Sequence, residues 1–428
     1  MKTAPQLFIM RKDAELIIRN ALETASPRKA VGDTLEQLDL AGGRIIVVAI
    51  GKAAWSMAQA ACDKLKEMGL YGENVSGIVI TKYDHAKGEI PGLVICEAGH
   101  PVPDDNSFRA AERALQMVSG LSERDTVLFL VSGGGSALFE KPLVSGEELK
   151  DITGQLLACG AAITETNTIR KRLSAVKGGK FALACRPARV LSIILSDIIG
   201  DPLDMIASGP AYPDSSTAED AENIIKKNDL KLSDRARELM REETPKELMN
   251  VSTYVTGSVS QLCASAEKTC ESLGYEPVFL TARLDCEAKE AGRFLGAIAK
   301  DHQKDGRSLA YIAGGETVVH LTGKGKGGRN QELALSAAAE IDGLSDTLIF
   351  SLGSDGTDGP TDAAGGIVDG KTADLLRKKG IAIDEVLKEN DAYHALKEAD
   401  GLIMTGPTGT NVNDLTVLLI RRLLYDLP

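Results

Sequence analysis

The chain has 428 residues, 43% of them hydrophobic and 26% charged, which suits a folded globular protein of roughly two to three domains and excludes a disordered one. A net charge of −12 excludes nucleic acid as the main partner, since a phosphate backbone needs a basic face, but leaves room for a small anion in a local positive pocket. The seven scattered cysteines, with no Cys-x-x-Cys, read as reduced thiols in a cytoplasmic protein. No apolar run approaches the ~20 residues of a membrane helix, and Met1-Lys-Thr-Ala-Pro5 lacks the apolar core of a signal peptide.

In chain order, residues from about Arg11 to Leu38 carry helical spacing. Arg44–Ile50 is the first continuous apolar run and reads as a buried strand. Gly51-Lys52 follows at once, and a helix is predicted from Ala53 to Met68. Lys52 therefore stands at a strand-to-helix turn, where the helix dipole is already positive, and that placement points to an anion that neutralises it. Val75–Ile80 and Leu93–Cys96 read as further strands. The stiff loop Gly99-His-Pro-Val-Pro-Asp104 leads to a helix that Asp104 can cap. His100 there either touches substrate or ties the loop down.

Asp125–Val131 is the next buried strand, and it runs into Ser132-Gly133-Gly134-Gly135-Ser136. Glycines let a ligand approach the main chain, and successive N–H groups with two hydroxyls suit an anion. A helix follows over Glu147–Gly160. Thr166–Arg172, with Arg170, and Val176–Lys180 cluster positive charge, either as a solvated face or as a rim that draws in an anion. Ala188–Leu195 is a strand ending in Ser196-Asp197, where Asp197 could bind a cation or take a proton, whereas Asp201 before Pro202 shapes a turn.

The polar stretch from Ser215 to Lys246 suggests a boundary, giving domains 1–245 and 246–428. Strands are predicted at Thr253–Thr256, Pro277–Leu280, Leu309–Ala313, Thr317–Leu321, Thr347–Leu352 and Leu402–Thr405. Thr317–Leu321 follows its predecessor so closely that a hairpin in a mixed sheet is expected. The last segment, Val412–Leu424, is a candidate to pack back on the first domain. Glycine and hydroxyl loops recur through this half: Gly257-Ser258, Gly314-Gly-Glu316, Gly323–Asn330, Gly353–Gly359 and Gly406–Asn411 with Thr408.

No Gly-x-x-x-x-Gly-Lys-Ser/Thr is present, and no convincing Gly-x-Gly-x-x-Gly opens a βαβ unit. No His- or Cys-rich metal cluster is visible either. What remains fits phosphoryl transfer, which needs positive charge and N–H donors around the moving group, a divalent cation and an aligned acceptor. Lys52 and Arg329 are the candidate cations. Asp197, Glu316, Asp355 and Asp358 are the candidate Mg²⁺ ligands or bases, with Asp355 and Asp358 equally readable as turn residues.

The chain resembles the type II glycerate kinases (glycerate 2-kinases, the MOFRL family). The resemblance rests on Gly51-Lys-Ala53, Gly99–Asp104, Val131–Ser136, Asn167–Ser174, Val176–Gly179 and Ser196–Pro202. In the second half it rests on Gly314–Glu316, Gly327–Glu332, Ser354–Gly365 and Thr405–Asp414. It implies two α/β domains, the first Rossmann-like with a largely parallel sheet and the second with a mixed sheet, and an active site in the cleft between them. It also implies ATP-dependent phosphorylation of D-glycerate at the 2-hydroxyl with Mg²⁺ or another divalent cation, and it points to Lys52, Asp197 and Arg329 as the reacting set. The Ser132–Ser136 loop, Gly257, Ser258, Thr408 and Asn411 are then expected to hold nucleotide or phosphate, and His100 and Arg170 to meet substrate. Small molecules, not nucleic acid or membrane, are the expected partners, and a homodimer is left open. Two other classes stand beside this one: a hydroxypyruvate reductase, a label that relatives have carried, and a sensor that binds nucleotide or organic acid without turnover.

Overall fold

The computed structural model describes residues 3–40, 42–196, 200 and 202–422. It divides into two compact units, one of residues 27–256 and one of residues 1–26 with 257–428.

The first unit is built on β1 (Ile45–Ile50), β2 (Val75–Lys82), β3 (Leu93–Ala98), β4 (Thr126–Val131), β5 (Arg189–Leu195) and β6 (Val251–Gly257). They form a six-stranded sheet in the order β3-β2-β1-β4-β5-β6. β1 to β5 run parallel, as their pairings show. Side chains alternate between faces, and both faces are buried. Val48, Ile50, Phe129 and Val131 belong to one core, and Val47, Ala49, Leu128 and Leu130 to the other. That is why these strands read as continuous apolar runs.

The second unit carries β7 (Glu276–Leu284), β8 (Leu309–Gly315), β9 (Thr347–Gly353), β10 (Gly365–Asp369), β11 (Leu402–Ile403) and β12 (Asp414–Ile420). Their order is β11-β10-β9-β12-β8-β7. β7 is parallel to β8, whereas β12 is antiparallel to both β8 and β9. β10 is antiparallel to β9 and to β11, so the sheet is mixed. One face packs on the helices Thr3–Thr24 and Val259–Ser272 through residues such as Met10, Ile17, Leu262, Phe350 and Val417. The other packs on Ala288–Asp301 and Arg329–Glu340 through Leu295, Leu333, Ile349 and Leu418.

Four sequence expectations need correction. The helix Thr3–Thr24 belongs with the C-terminal sheet, because its apolar stripe Met10, Ala14, Ile17 and Ala21 enters that core. β6, expected to open the second sheet, instead ends the first. Thr317–Leu321 makes no hairpin, and only Val318 bridges, to Glu287. The expected return of Val412–Leu424 to the first domain fails for its described part. β12 is an inner strand of the second sheet, and Val417, Leu418, Leu419 and Ile420 are fully buried there.

Candidate active site

In the first unit the chain winds outward from β1 through β2 and β3, then restarts at β4 and winds the other way. Ligands of doubly wound sheets bind at the carboxyl ends of the two strands flanking such a reversal, here β1 and β4. Lys52 and the Ser132–Ser136 loop sit at those two ends, one past Ile50 and one past Val131, which are register partners. Ser132 ties the ends together. Its Oγ accepts from Ala53 N–H at 3.0 Å and donates to the Ile50 carbonyl at 3.2 Å. Lys52 N–H donates to the Gly133 carbonyl at 2.8 Å. Gly51 must be glycine: its φ is +109°, and a Cβ there would lie 2.3 Å from Ser132 Oγ.

Gly134, with φ +83°, brings bare backbone against two candidate ligands of substrate. A Cβ on it would stand 3.0 Å from His100 Nε2 and 3.3 Å from Lys52 Cγ. His100 thus faces the same glycine as Lys52. Burial holds its pKa below the ordinary value, and the charges of Lys52, Lys82 and His85 push the same way, favouring the neutral ring. Among the described residues the Lys52 ammonium has no ion-pair partner.

The loop is braced from beneath. The Ser136 carbonyl accepts from Arg170 Nη2 at 3.0 Å and from Lys177 Nζ at 2.8 Å, and Lys177 also donates to the Phe139 carbonyl at 2.9 Å. Lys177 is fully buried and pairs with buried Glu140 at 3.2 Å. Burial pushes its amine down to about 8, against the pull of Glu140. Ser136 Oγ and Ser208 Oγ lie 3.0 Å apart, and Ser208 Oγ donates to Asn167 Oδ1 at 3.0 Å. The basic cluster read from the sequence is therefore neither a solvated face nor an open rim. Lys171 and Arg172 turn inward toward Asp214, and Arg170 and Lys177 hold the loop's carbonyls. Asp197 and Asp201 lie outside the described residues.

The second unit gathers its polar groups where β8 and β9 end and β12 begins. Asp414 is the register partner of both Gly315 and Gly353. Arg329, the first residue of the helix Arg329–Glu340, donates to Asp414 through Nε at 2.5 Å and Nη2 at 2.9 Å. Its Nη1 lies 3.2 Å from Glu316 Oε1. The guanidinium is gripped on two edges, the fork geometry that fixes an arginine's plane. Burial works against both charges. The contacts with Asp414 nonetheless hold Arg329 above its ordinary value, while burial pushes the Asp414 carboxyl up to about 6 despite them.

Asp358 is buried and caps the same helix, accepting from Asn330 N–H at 3.2 Å and Gln331 N–H at 2.9 Å. Asp355 makes an Asx turn, its Oδ1 accepting from Thr357 N–H at 2.9 Å. Thr408 lays its loop on that turn, with N–H to the Asp355 carbonyl at 3.2 Å and Oγ1 to the Ser354 carbonyl at 2.6 Å. Asn411 is half-buried in the same loop. Gly257 ends β6, and Ser258 caps Val259–Ser272, its Oγ accepting from Gln261 N–H at 3.4 Å. Among the described residues no three His, Cys, Asp or Glu side chains form a group that could hold a metal ion. Sequence reasoning missed Asp414 and Lys177 as site residues. An acid heading the apolar run Asp414–Ile420 was the available signal for the first.

Comparison with known proteins shows the family and the fold. Residues 13–241 match the family described as "Domain of unknown function (DUF4147)", and residues 309–414 match the MOFRL family. The D-glycerate 2-kinase of Thermotoga maritima is 50% identical over 418 residues, covering 96% of this chain and 98% of its own. The glycerate 2-kinase of Pyrococcus horikoshii is 42% identical over 431 residues, covering 94% and 96%. A crystal structure of the Thermotoga maritima glycerate kinase superposes with a TM-score of 0.91 at 49% identity, covering 96% of this chain and 99% of that one. This chain belongs to the glycerate 2-kinase family, a DUF4147 region followed by a MOFRL region.

Proposed function

We propose that this protein transfers the γ-phosphoryl group of ATP to the 2-hydroxyl of D-glycerate, giving 2-phosphoglycerate and ADP. The observation that carries the reading is Lys52. It is a cation at the reversal point of a doubly wound sheet, beside a bare glycine loop, with no protein carboxylate to neutralise it among the described residues. A polyanionic substrate is a fitting counter-charge for such a lysine. Relatives named D-glycerate 2-kinase and glycerate 2-kinase support the acceptor and the position attacked.

In this reading Lys52 and Arg329 neutralise the transferring phosphoryl group and the glycerate carboxylate. The Ser132–Ser136 amides cradle phosphate, His100 donates or accepts at substrate, and Arg170 and Lys177 keep the loop in place. Asp197 orients or deprotonates the 2-hydroxyl. Mg²⁺ commonly takes one or two protein carboxylates and completes its shell with water and substrate phosphates. Glu316 is half exposed and Asp355 is partly exposed, which suits such a shared ion, whereas Asp358 is committed to its helix. When bound, the ion offsets phosphate charge. The free cysteines suit a cytoplasmic location.

Incubation with ATP, Mg²⁺ and D-glycerate, followed by phosphorus NMR, tests the proposal. A 2-phosphate product with equimolar ADP is expected. A 3-phosphate would overturn the regiochemistry, and NADH oxidation with hydroxypyruvate in place of phosphoryl transfer would favour the reductase.

A further inference from the structure

The second unit holds a cavity of about 570 Å³. One wall is a face of the helix Thr3–Thr24, with Ile18, Arg19 and Leu22. The other is the edge of the sheet around Ile367, Leu402 and Ile403, continuing to Met404, Thr405 and Thr408. The volume suits a bound small molecule of nucleoside size or larger. The bed is apolar. The rim is balanced in charge, with Arg11 and Arg19 against Glu15 and Asp400, and Arg11 is already committed to Asp369 at 3.1 Å and to the Asp400 carbonyl at 3.0 Å. Such a lining suits an uncharged heterocycle better than a free anion.

Strand pairing sets the distance from the cavity edge to the strand that grips Arg329. Ile403, Gly365, Leu352 and Leu415 are successive register partners across β11, β10, β9 and β12, and Asp414 precedes Leu415 on β12. Three strand spacings separate the cavity edge from the strand that grips Arg329, about 14 Å, which matches the reach of an extended nucleoside triphosphate. The chain between these points is the loop from Thr405, which rests on Ser354 and Asp355 through Thr408. It carries glycines at φ +67° and +78° and a buried Thr410 whose Oγ1 has no hydrogen-bond partner.

We propose that this cavity receives the nucleoside of the phosphoryl donor, with the polyphosphate running over the Thr405–Thr410 loop toward Arg329. The proposal rests on the kinase reading for the identity of the donor. Filling the cavity tests it. Leu22→Trp, on a half-buried position, and Met404→Trp, at the exposed mouth, should each raise KM for ATP at least about tenfold while KM for D-glycerate stays within about twofold. Leu22→Met should restore wild-type values. A fluorescent ATP analogue titrated without glycerate should bind the Trp variants correspondingly weakly, with circular dichroism confirming their fold. Wild-type affinity for the analogue in both folded Trp variants would overturn the assignment. If wild-type protein transferred no phosphoryl group to glycerate, the kinase reading would fall, and the titration would still judge the cavity.

Discussion

The two units present their cations by opposite means. Among the described residues Lys52 has no ion-pair partner at the end of its parallel strand, and the loop beside it is fixed by backbone contacts and by buried charge below. Arg329 is held by two carboxylates, Asp414 and Glu316, at the ends of antiparallel strands. A lysine on a flexible stem can follow a moving charge, whereas a forked arginine held on two edges offers a fixed plane. The contrast assigns adaptability to the first unit and preorganisation to the second, and five single substitutions test it.

The largest expected effect lies under the glycine loop. Lys177→Met leaves Glu140 as a buried carboxylate without its amine and should destabilise the protein by about 3–5 kcal/mol in chemical denaturation. Adding Glu140→Gln should recover part of that loss. If the single variant unfolded like the wild type, the loop would not depend on this brace. Next, Lys52→Ala and Arg329→Ala should each lower kcat at least about a hundredfold with an unchanged circular dichroism spectrum. Near-normal turnover in either variant would remove that side of the comparison.

Asp414→Asn separates clamping from charge. It keeps the size of the side chain but weakens the grip on Arg329, so kcat should fall by about tenfold, with less effect on KM. An unaltered kcat would mean that Arg329 does not need the clamp. The smallest effect belongs to the far end of the first sheet, where Asp125 accepts from Arg44 at 2.9 Å and from Ser122 N–H at 2.7 Å. The Arg44 hydrogen bond, with help from Ser122, holds its carboxyl well below the usual range despite burial. A depressed folded pKa stabilises above the unfolded value of about 3.9 and loses that contribution as pH falls below it. The stability gap between wild type and Asp125→Asn should therefore be widest at pH 7 and close below about pH 4, with turnover unchanged at pH 7.

What the sequence revealed follows the same division. Strands buried on both faces, such as Ile45–Ile50 and Thr126–Val131, are apolar throughout, and the glycine loops at their ends announce themselves locally. Lys52 was legible because its turn is local. Arg329 was legible as a cation in a glycine loop, but its clamp was not, because Asp414 reaches it by strand pairing across 85 positions. Burial of Lys171, Arg172 and Lys177 was also hidden. Their counter-charges, Asp214 and Glu140, are 43 and 37 residues away or nearly so in the chain, and no local periodicity links them. Gly365–Asp369 was missed as a strand because glycines there admit the close backbone of β9 in place of side chains, a Cβ on Gly365 falling 2.0 Å from the Ser351 carbonyl.

The placement of β12 bears on biosynthesis. The unit of residues 27–256 is one uninterrupted stretch, so all its strands are made before residue 258. The helix Thr3–Thr24, translated earlier, has its own partners only after residue 257 and must wait for them. Arg329 waits longer still, since its fork closes only when β12 slots between β8 and β9. A nascent chain halted before Asp414 would carry both cations and yet lack the frame that aims the second, so catalytic competence should arrive late in translation.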